Sequence, residues 1–254
     1  MKVLVTGGTS GLGRAMAAAL AAAGASVALT GRSGRRAETV AAELSTAVAA
    51  ELPGAVGIEL DVRDEASVAR AVDTAWAALG GIDMLVNNAG IGMRTVNPRF
   101  LTEPRGFWEI PVDGFRAVVE TNLTGYFLVA REVVPRMLAA GGGRMVNISV
   151  SESTMRRAGF VPYGPSRAGS ESLSRIMAAD LHGTGVTVNL LLPGGGGTAT
   201  GMVPVDHLPA GRVLQDPAVM GPPIVWLASD DAAGVHDERI VAVDFERWLV
   251  ARSR

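Results

Sequence analysis

The chain has 254 residues, of which 48% are hydrophobic, 19% charged and 5% aromatic, and its formal net charge at pH 7 is −2. This composition indicates a globular chain with a core of small and branched side chains, and it offers no basic field for a nucleic-acid partner. Because the chain contains no cysteine, disulfides, thiolate metal sites and thiol nucleophiles are excluded.

Length and local patterns set expectations for domains, metals and location. An α/β domain commonly reaches roughly 250 residues, so we expect one domain over residues 1–254. His182, His207 and His236 are too far apart in the sequence for a local metal motif, so we expect no bound metal. The apolar run in KVLVTGG is too short for a signal peptide, and no later run reaches membrane length. We therefore expect a cytoplasmic protein without a membrane partner.

Short apolar runs rich in valine and leucine alternate along the chain with alanine-rich segments of helical period. Each run is apolar at consecutive positions, as is typical of a strand covered on both faces. The runs are KVLVT, SVALT, VGIEL, DMLVNN, RMVNIS, VTVNLLLP and a weaker RIVAVD. The segments 14–23, 65–79 and 115–140 are long enough to be crossover helices. The sequence predicts a doubly wound α/β fold with a parallel sheet, and the glycine clusters 141–143 and 194–197 are predicted loops.

The first strand leads into a glycine-rich stretch, TGGTSGLG. Gly7, Gly11 and Gly13 permit a sharp turn, an approach of backbone N–H groups to a pyrophosphate, and close packing of the helix on the strand. Glycine also marks ordinary turns between a strand and a helix, so the loop alone leaves a structural role open. Its spacing differs from the usual G-x-G-x-x-G pattern.

The spacing TG-x-x-x-G-x-G resembles that of the short-chain dehydrogenase/reductase family. Further matches follow in the family's order along nearly the whole chain: Asp61 and Val62, the run Asn87, Asn88, Ala89 and Gly90, then Asn122 in NLTG, Tyr163, and Pro193 and Gly194 with Thr198. The chain is identified as a member of this family, which implies a Rossmann fold and an oxidoreductase with a nicotinamide cofactor. The resemblance implies cofactor contacts from Gly7, Thr9, Ser10, Gly11, Leu12, Gly13, Arg32, Asp61, Val62, Asn88, Ala89, Gly90, Tyr163, Arg167, Pro193, Gly194 and Thr198.

The end of the second strand, VALTGRSGRR, bears on the choice of cofactor. An acid there binds the 2′-hydroxyl of NAD, whereas the 2′-phosphate of NADP needs a cation and no acid. Gly31 stands where the family has its acid, and Arg32 follows, which favours NADP(H) over NAD(H). Alternatively, Arg32, Arg35 and Arg36 are the solvated start of a helix, but that interpretation leaves the missing acid unexplained.

The stretch YGPSR places Tyr163 and Arg167 one helical turn apart, provided that a helix begins near Tyr163, which Pro165 then tolerates. In the family, a tyrosine exchanges a proton with the substrate oxygen. A lysine four residues later binds the nicotinamide ribose and lowers the tyrosine pKa. Arg167 occupies the lysine position. It supplies a permanent charge and donors, but its pKa above ~12 prevents it from passing a proton.

The family's substrate-binding serine is also replaced, because Val150 occupies its position between Ser149 and Ser151. In an extended chain neither neighbouring serine would point the same way as residue 150 without a bulge. Ser151 is the predicted substitute, and Ser153 or Glu152 are alternatives. The resemblance implies that Asn122 holds a helix kink and a proton-relay water.

Two further segments depart from the family pattern. The stretch 91–121 is longer than usual, and we expect some of its residues, with two from the loop before Tyr163, to line a pocket for an anionic or aromatic substrate. These residues are Arg94, Arg99, Phe100, Arg105, Phe107, Trp108, Arg156 and Arg157. An exposed loop packed by its own aromatics is the alternative.

The C-terminal segment keeps Val243 and Asp244 of the family's ending, loses its glycines, and gains Phe245 and Trp248. In the family this segment lies at a subunit contact. The resemblance thus implies a homotetramer or homodimer, with the segment 115–140 and the helix after Tyr163 forming the other main interface.

Three functions remain open from the sequence. The leading prediction is an NADP(H)-dependent oxidoreductase that moves the 4-pro-S hydride between cofactor and a carbonyl or secondary alcohol, as the family does. The alternative is a cofactor-binding protein with little or no redox activity, used as an NADP sensor or assembly partner, because the cofactor motifs are intact while two catalytic positions are altered. A lyase or isomerase on the same scaffold is the third.

Overall fold

The fold is taken from a computed structural model, which describes residues 1–49, 52–195, 197–203, 208, 211 and 213–252. Within these residues seven strands form one parallel sheet with the order β3-β2-β1-β4-β5-β6-β7. The strands are β1 Lys2–Val5, β2 Ser26–Gly31, β3 Val56–Glu59, β4 Met84–Asn87, β5 Gly143–Ile148, β6 Val186–Leu192 and β7 Arg239–Val241. Five of the strands lie within a predicted apolar run and two, β2 and β5, extend one residue beyond it, so the predicted doubly wound sheet is confirmed.

The helices of the described residues cover both faces of the sheet. They are α1 Gly11–Ala22, α2 Gly34–Ala47, α3 Glu65–Leu79, α4 Val112–Val119, α5 Gly125–Ala139, α6 Glu152–Met155, α7 Tyr163–Asp180, α8 Gly221–Leu227 and α9 Phe245–Arg252. A π-helical turn, Glu120–Thr124, joins α4 to α5. The predicted helix over 115–140 is therefore two α-helices with an irregular turn between them, at the position of Asn122.

The core explains why the strands are apolar without alternation. Val3 and Val5 of β1 pack in one hydrophobic cluster together with α1 and α8, while Leu4 packs in a second cluster with α3 and α5. Successive side chains of a strand point to opposite faces. Because helices cover both faces here, every position along the strand is buried and must be apolar.

The sheet order reverses direction between β1 and β4, which are neighbours although β2 and β3 lie between them in the sequence. At such a switch point the connections after the two strands leave on opposite faces, and a crevice opens at the carboxyl ends. The glycine-rich loop follows β1 and the Asn-Asn-Ala-Gly stretch follows β4. The topology therefore brings the two sequence motifs together.

The histidines of the described part have structural contacts. His236 accepts a hydrogen bond from Val188 N at Nδ1 (3.2 Å) and lies 2.9 Å from the Ala178 carbonyl through Nε2, so it joins β6 to α7. His207, and Gly196 of the predicted glycine loop, lie outside the described residues. Among the described helices, none is long and apolar enough to cross a bilayer.

Candidate active site

A cavity of about 700 Å³ lies at the carboxyl ends of the central strands. All residues predicted to contact the cofactor line it, except Gly13. Gly7 and Gly11 have φ of 66° and 53°, the left-handed region in which glycine is favoured. A Cβ at Gly13 would overlap the Gly7 carbonyl oxygen, so Gly13 allows α1 to pack closely on the loop and does not face the cavity.

The loops after β1 and β4 are tied together by Asn88 and Thr6. The Asn88 amide donates to the carbonyls of Thr6 (2.9 Å) and Gly7 (3.1 Å). In return, Thr6 Oγ1 accepts from the backbone N–H groups of Asn88 (2.9 Å) and Ala89 (3.1 Å). Thr6 begins the glycine-rich motif but was not predicted to have a role, and its hydroxyl fixes the position of the β4 loop.

Arg32 lies on the cavity wall beside Gly31, while Arg35 and Arg36 are exposed on the first turn of α2, outside the described lining. The Ser33 side chain caps this helix by accepting from Arg36 N (3.4 Å). The three arginines thus separate into one that faces the cavity and two that face solvent.

Asp61 lines the cavity next to Arg63, a residue that the motifs did not identify. Arg63 donates from Nε to Asp61 Oδ1 (2.9 Å) and from Nη2 to Oδ2 (2.6 Å). This bidentate hydrogen bond holds the pKa of the Asp61 carboxyl below its usual value, against a partial opposing effect of burial. Asp61 is therefore an acceptor with a fixed orientation at the cavity edge.

Helix α7 begins at Tyr163, as Pro165 requires, and follows a cis Val161–Pro162 peptide bond. The Tyr163 ring lines the cavity, and Arg167 Cζ lies 5.4 Å from its centroid. The two residues therefore share one helix face, as the sequence predicted.

Arg167 is only 3% exposed, and its guanidinium is anchored on Tyr126 and the end of β5. Its Nη1 donates to Tyr126 Oη (2.9 Å) and to the Ile148 carbonyl (3.2 Å), while Tyr126 Oη donates to the same carbonyl (3.1 Å). Burial lowers the pKa of Arg167, but the phenol oxygens of Tyr126 and Tyr163 outweigh it and raise that pKa. Burial raises the pKa of Tyr126, and Arg167 only partly offsets this. The guanidinium therefore stays charged, and the Tyr126 hydroxyl stays protonated.

Asn122 lies in the π-helical turn and is fully buried. Its Oδ1 accepts from Ile91 N (2.9 Å), and its Nδ2 donates to the Ile91 carbonyl (3.0 Å) and to Ser166 Oγ (3.0 Å). The side chain therefore joins the loop after β4 to the first turn of α7. π-turns of this kind are frequent at functional sites.

Strand β5 ends at Ile148, but Ser149 N still donates to the Leu191 carbonyl of β6 (2.9 Å), and the Ser151 backbone is extended. Ser149 and Val150 both line the cavity, and Ser149 Oγ donates to Glu171 on α7 (2.6 Å). Ser151 caps the short helix α6 and also lines the cavity. Its Oγ lies 3.0 Å from Ser153 Oγ and 2.9 Å from Thr154 Oγ1. The cavity wall around Ser151 is thus a group of hydroxyls, while Glu152 beside it is exposed.

An apolar wall lies on the far side of Tyr163. Met93, Phe100 and Phe160 form a small buried cluster against which Tyr163 packs, and the two phenylalanine rings meet edge to face at 5.5 Å. Arg157 also lines the cavity, with Cζ 4.7 Å from the Phe160 ring centroid.

The remaining residues of the expected substrate pocket lie outside the described lining, which corrects that part of the hypothesis. Phe107 and Trp108 are 70% and 77% exposed, and Arg105 is also exposed. The other arginines have local partners: Arg94 with the Gly201 carbonyl, Arg99 with Glu103, and Arg156 with Glu152. They occur close to the motifs in sequence, but their side chains are directed elsewhere.

Two buried polar atoms at the cavity lack a hydrogen-bond partner among the described residues: Arg167 Nε and Thr198 Oγ1. Buried polar groups are normally paired, so both atoms indicate a missing polar ligand. The glycine loop lines the same cavity at the start of α1, where backbone N–H groups can bind a pyrophosphate. The residues present therefore fit a dinucleotide.

The comparisons with known proteins agree with this geometry. A family model described as short chain dehydrogenase matches residues 1–206. The 2-dehydro-3-deoxy-L-rhamnonate dehydrogenase (NAD(+)) of Sphingomonas sp. is 37% identical over 211 residues, 83% of this chain and 76% of that protein. The 3-oxoacyl-(acyl-carrier-protein) reductase of Aquifex aeolicus is 36% identical over 191 residues, 75% of this chain and 72% of that protein.

Solved structures give the same result at full length. A dehydrogenase/reductase from Sinorhizobium meliloti matches with a TM-score of 0.79 and 30% identity, covering 94% of this chain and 92% of the other. The 3-ketoacyl-(acyl-carrier-protein) reductase from Brucella melitensis, complexed with NADH, matches with a TM-score of 0.78 and 26% identity. That alignment covers 94% of this chain and 95% of the other.

Proposed function

The chain belongs to the short-chain dehydrogenase family, and we propose that it is an NADP(H)-dependent oxidoreductase acting on a carbonyl or secondary alcohol. When bound, the nicotinamide supplies or accepts the hydride. The main observation that supports the proposal is that Tyr163, Arg167 and the glycine-rich loop line the same cavity.

The roles follow from the positions of the side chains. In the reducing direction the Tyr163 hydroxyl gives its proton to the substrate oxygen as the carbonyl carbon gains a hydride, and in the oxidising direction Tyr163 takes the proton back. Arg167 supplies a permanent positive charge beside the phenol. Ser151, with the neighbouring Ser153 and Thr154 hydroxyls, donates a hydrogen bond to the substrate oxygen. Asn122 fixes the loop after β4 and the start of α7.

The preference for NADP(H) is supported by Gly31 and Arg32. A glycine at the end of β2 presents no carboxylate to repel a 2′-phosphate, and Arg32 on the cavity wall can form charge-assisted hydrogen bonds to one. The Sphingomonas relative is named for NAD(+) and the Brucella reductase was solved with NADH, so the proposal of NADP(H) rests on Gly31 and Arg32 of this chain.

The test of the cofactor is a fluorescence titration with NADPH and NADH. We expect tighter binding of NADPH, and we expect Arg32→Ala to weaken NADPH binding by about 10- to 100-fold while NADH changes by less than about 3-fold. Arg35→Ala is the matched control, because that arginine is exposed on the same stretch and outside the cavity wall. Equal affinities for the two cofactors, or an equal loss of both in Arg32→Ala, would overturn the proposal.

The test of the reaction follows reduced-cofactor absorbance against a panel of ketones, quinones and keto acids. We expect turnover that Tyr163→Phe reduces by at least about 100-fold while cofactor affinity is retained. Tight binding with no turnover on the whole panel would favour the second candidate, a cofactor-binding protein with little or no redox activity. That candidate is supported by Val150 in place of the family's serine and by Arg167 in place of its lysine.

We also propose a homotetramer or homodimer. Phe115, Phe127 and Ile176 are exposed on α4, α5 and α7, the helices that the resemblance places at an interface. Phe245 and Trp248 instead pack against Trp226 within the chain, which makes the C-terminal segment the weaker candidate. Light scattering at two protein concentrations tests this, and a monomer at both would contradict it. The cytoplasmic location stays a prediction.

A further inference from the structure

Arg167 lies between two tyrosine rings, which belong to the only two tyrosines of the chain. Its Cζ is 5.7 Å from the Tyr126 ring centroid and 5.4 Å from that of Tyr163. Tyr163 lines the cavity, whereas Tyr126 lies outside the described lining and is 2% exposed. The two tyrosines therefore contact the same cation but have different surroundings, one open to a ligand and one closed within the protein.

The contacts on the Tyr126 side form a closed triangle. Arg167 Nη1, Tyr126 Oη and the Ile148 carbonyl oxygen lie within 2.9 to 3.2 Å of each other, and each donor N–H or O–H in the set has an acceptor. The triangle joins α5, the end of β5 and α7. Ile148 is the last residue of β5, from which the chain continues through Val150 along the cavity wall.

The opposite side of the guanidinium is limited by Gly90. A Cβ there would overlap Arg167 Nη2 and would lie 3.1 Å from Asn122 Oδ1. The backbone of Gly90 is not left-handed, so space and not conformation explains the glycine. Tyr126 and Gly90 thus bound the guanidinium on two sides, while Nε stays unpartnered among the described residues.

A guanidinium can be anchored and still bind a ligand, because its five N–H donors point in several directions in one plane. Here Nη1 is used for the anchor, which leaves the other donors available. A lysine has its three donors on one nitrogen at the end of a shorter chain. It cannot hold the Tyr126 hydroxyl and reach the cavity in the same way.

We propose that Tyr126 is a positioning residue, which holds the Arg167 guanidinium so that its free donors face the cofactor ribose and its charge faces Tyr163. Tyr126 and Arg167 together then take the place that a lysine alone has in the family pattern. The catalytic consequence rests on the proposed function, whereas the consequence for cofactor binding requires only that the dinucleotide binds in the cavity.

The test is a double-mutant cycle on the NADPH dissociation constant, with the variants Tyr126→Phe, Arg167→Lys and both together. Tyr126→Phe keeps the ring and removes only the hydroxyl. We expect Tyr126→Phe to weaken NADPH binding by about 10-fold when residue 167 is arginine, and by less than about 2-fold when it is lysine, which has no anchor to lose. An equal fold-loss in both backgrounds would overturn the proposal.

Ser170→Ala is the matched control. The buried Ser170 hydroxyl donates to the Arg167 backbone carbonyl (3.0 Å), so this variant removes a hydroxyl from α7 without touching the guanidinium. We expect wild-type NADPH affinity for this variant. A loss equal to that of Tyr126→Phe would assign the effect to general loosening of α7 and would overturn the positioning role.

Gly90→Ala is the alternative variant if Tyr126→Phe does not fold. Its new methyl group would overlap Arg167 Nη2 on the side of the guanidinium away from Tyr126. We expect it to weaken NADPH binding, and we expect Arg167→Lys in that background to restore part of the loss, since the shorter side chain avoids the new methyl group. Absence of any restoration would overturn the proposal. All of these measurements use binding, so a chain without turnover would refute the oxidoreductase function and leave the cycle interpretable. If turnover is present, kcat should show the same coupling.

Discussion

Thr9 fills the space into which a side chain at Gly31 would project. Its Cγ2 lies 2.6 Å and its Oγ1 3.2 Å from the position of a Cβ at residue 31. The glycine-rich loop after β1 and the end of β2 are therefore fitted to each other. The absence of an acid at residue 31 is a matter of space as well as of charge, because the neighbouring loop occupies the position in which the acid would lie.

Changing Gly31 alone should therefore fail to create an NAD-binding protein. We expect Gly31→Asp to weaken the binding of both cofactors, because the new side chain collides with Thr9 and its charge repels a phosphate. We expect Thr9→Ala/Gly31→Asp to recover NADH binding and to shift the NADPH to NADH affinity ratio by about 10- to 100-fold towards NADH. Titration of both cofactors measures this.

Thr9→Ala alone is the control for that pair and should leave the preference for NADPH unchanged. If Gly31→Asp alone bound NADH as well as the double variant does, the steric coupling between residues 9 and 31 would be refuted.

The same contact illustrates what the sequence can and cannot predict. The strands were predictable because a strand buried on both faces must be apolar at every position, as in Val3 to Val5. The glycine and asparagine motifs could be recognised in the sequence because their spacing reflects where the backbone must turn sharply or approach a neighbour closely. The contacts of Thr9 with Gly31 and of Tyr126 with Arg167 join different elements of the fold, so no local pattern encodes them.

The sequence was least informative at the positions where this chain departs from the family pattern. Val150 was identified as the altered serine position, but the contacts of the neighbouring serines depend on other elements of the fold. Ser149 Oγ donates to Glu171 of α7, a contact between distant positions that no local pattern encodes. For Tyr126 one signal was available: it is the only tyrosine besides Tyr163, and it lies one helical turn after Asn122.

A serine at residue 150 should improve catalysis. The Val150 carbonyl accepts from Arg239 Nη2 (2.9 Å), and Arg239 is held by Glu171 (2.7 Å), so the backbone there is fixed with its side chain on the cavity wall. We expect Val150→Ser to raise kcat/KM by about 10-fold, since a hydroxyl would meet the substrate oxygen directly. Steady-state kinetics with the best substrate of the panel measures this.

The contribution of Ser151 to kcat/KM should therefore differ between the wild type and the Val150→Ser variant. We expect Ser151→Ala to lower kcat/KM by about 10-fold in the wild type and by less than about 3-fold beside Val150→Ser. Loss of its cap on α6 costs about 1 kcal/mol of stability in both backgrounds, which thermal denaturation checks separately. Unchanged kcat/KM for Ser151→Ala in the wild type would exclude Ser151 as the substitute.

Asn122 should matter for stability as well as for the site. Its amide makes three hydrogen bonds in a fully buried position, so Asn122→Ala leaves the Ile91 N–H and carbonyl without partners. We expect a loss of about 2–4 kcal/mol in the free energy of unfolding, measured by urea denaturation. Ser166→Ala removes only one of those bonds and should lose about 1 kcal/mol. A similar small loss in both variants would show that the bonds to Ile91 contribute little.

The Asp61 and Arg63 pair should stabilise the fold at neutral pH and lose this contribution in acid. The Asp61 pKa is lowered in the folded state, so the pair stabilises the fold above the unfolded aspartate pKa near ~3.9 and loses this as pH falls through the folded value. Both side chains are about one third exposed, which limits the contribution to less than about 1 kcal/mol. In urea denaturation, Asp61→Asn should be slightly less stable than the wild type at pH 6, and the difference should be smaller at pH 3. A larger difference at pH 3 would contradict this sign.

The apolar wall beside Tyr163 should select substrates with an aromatic or cyclic body. Phe100 and Phe160 are buried next to the tyrosine and line the cavity, so an apolar substrate would bury its own surface against them. We expect Phe160→Leu to raise KM for aryl ketones by about 3- to 10-fold, with a smaller change for short aliphatic ketones, because the smaller side chain loses contact area. Phe107→Leu is the matched control, since Phe107 is 70% exposed and its ring packs on Trp108 outside the described lining. If Phe107→Leu changed KM as much as Phe160→Leu, the segment 91–121 would act on the substrate through the exposed loop and not through the buried cluster.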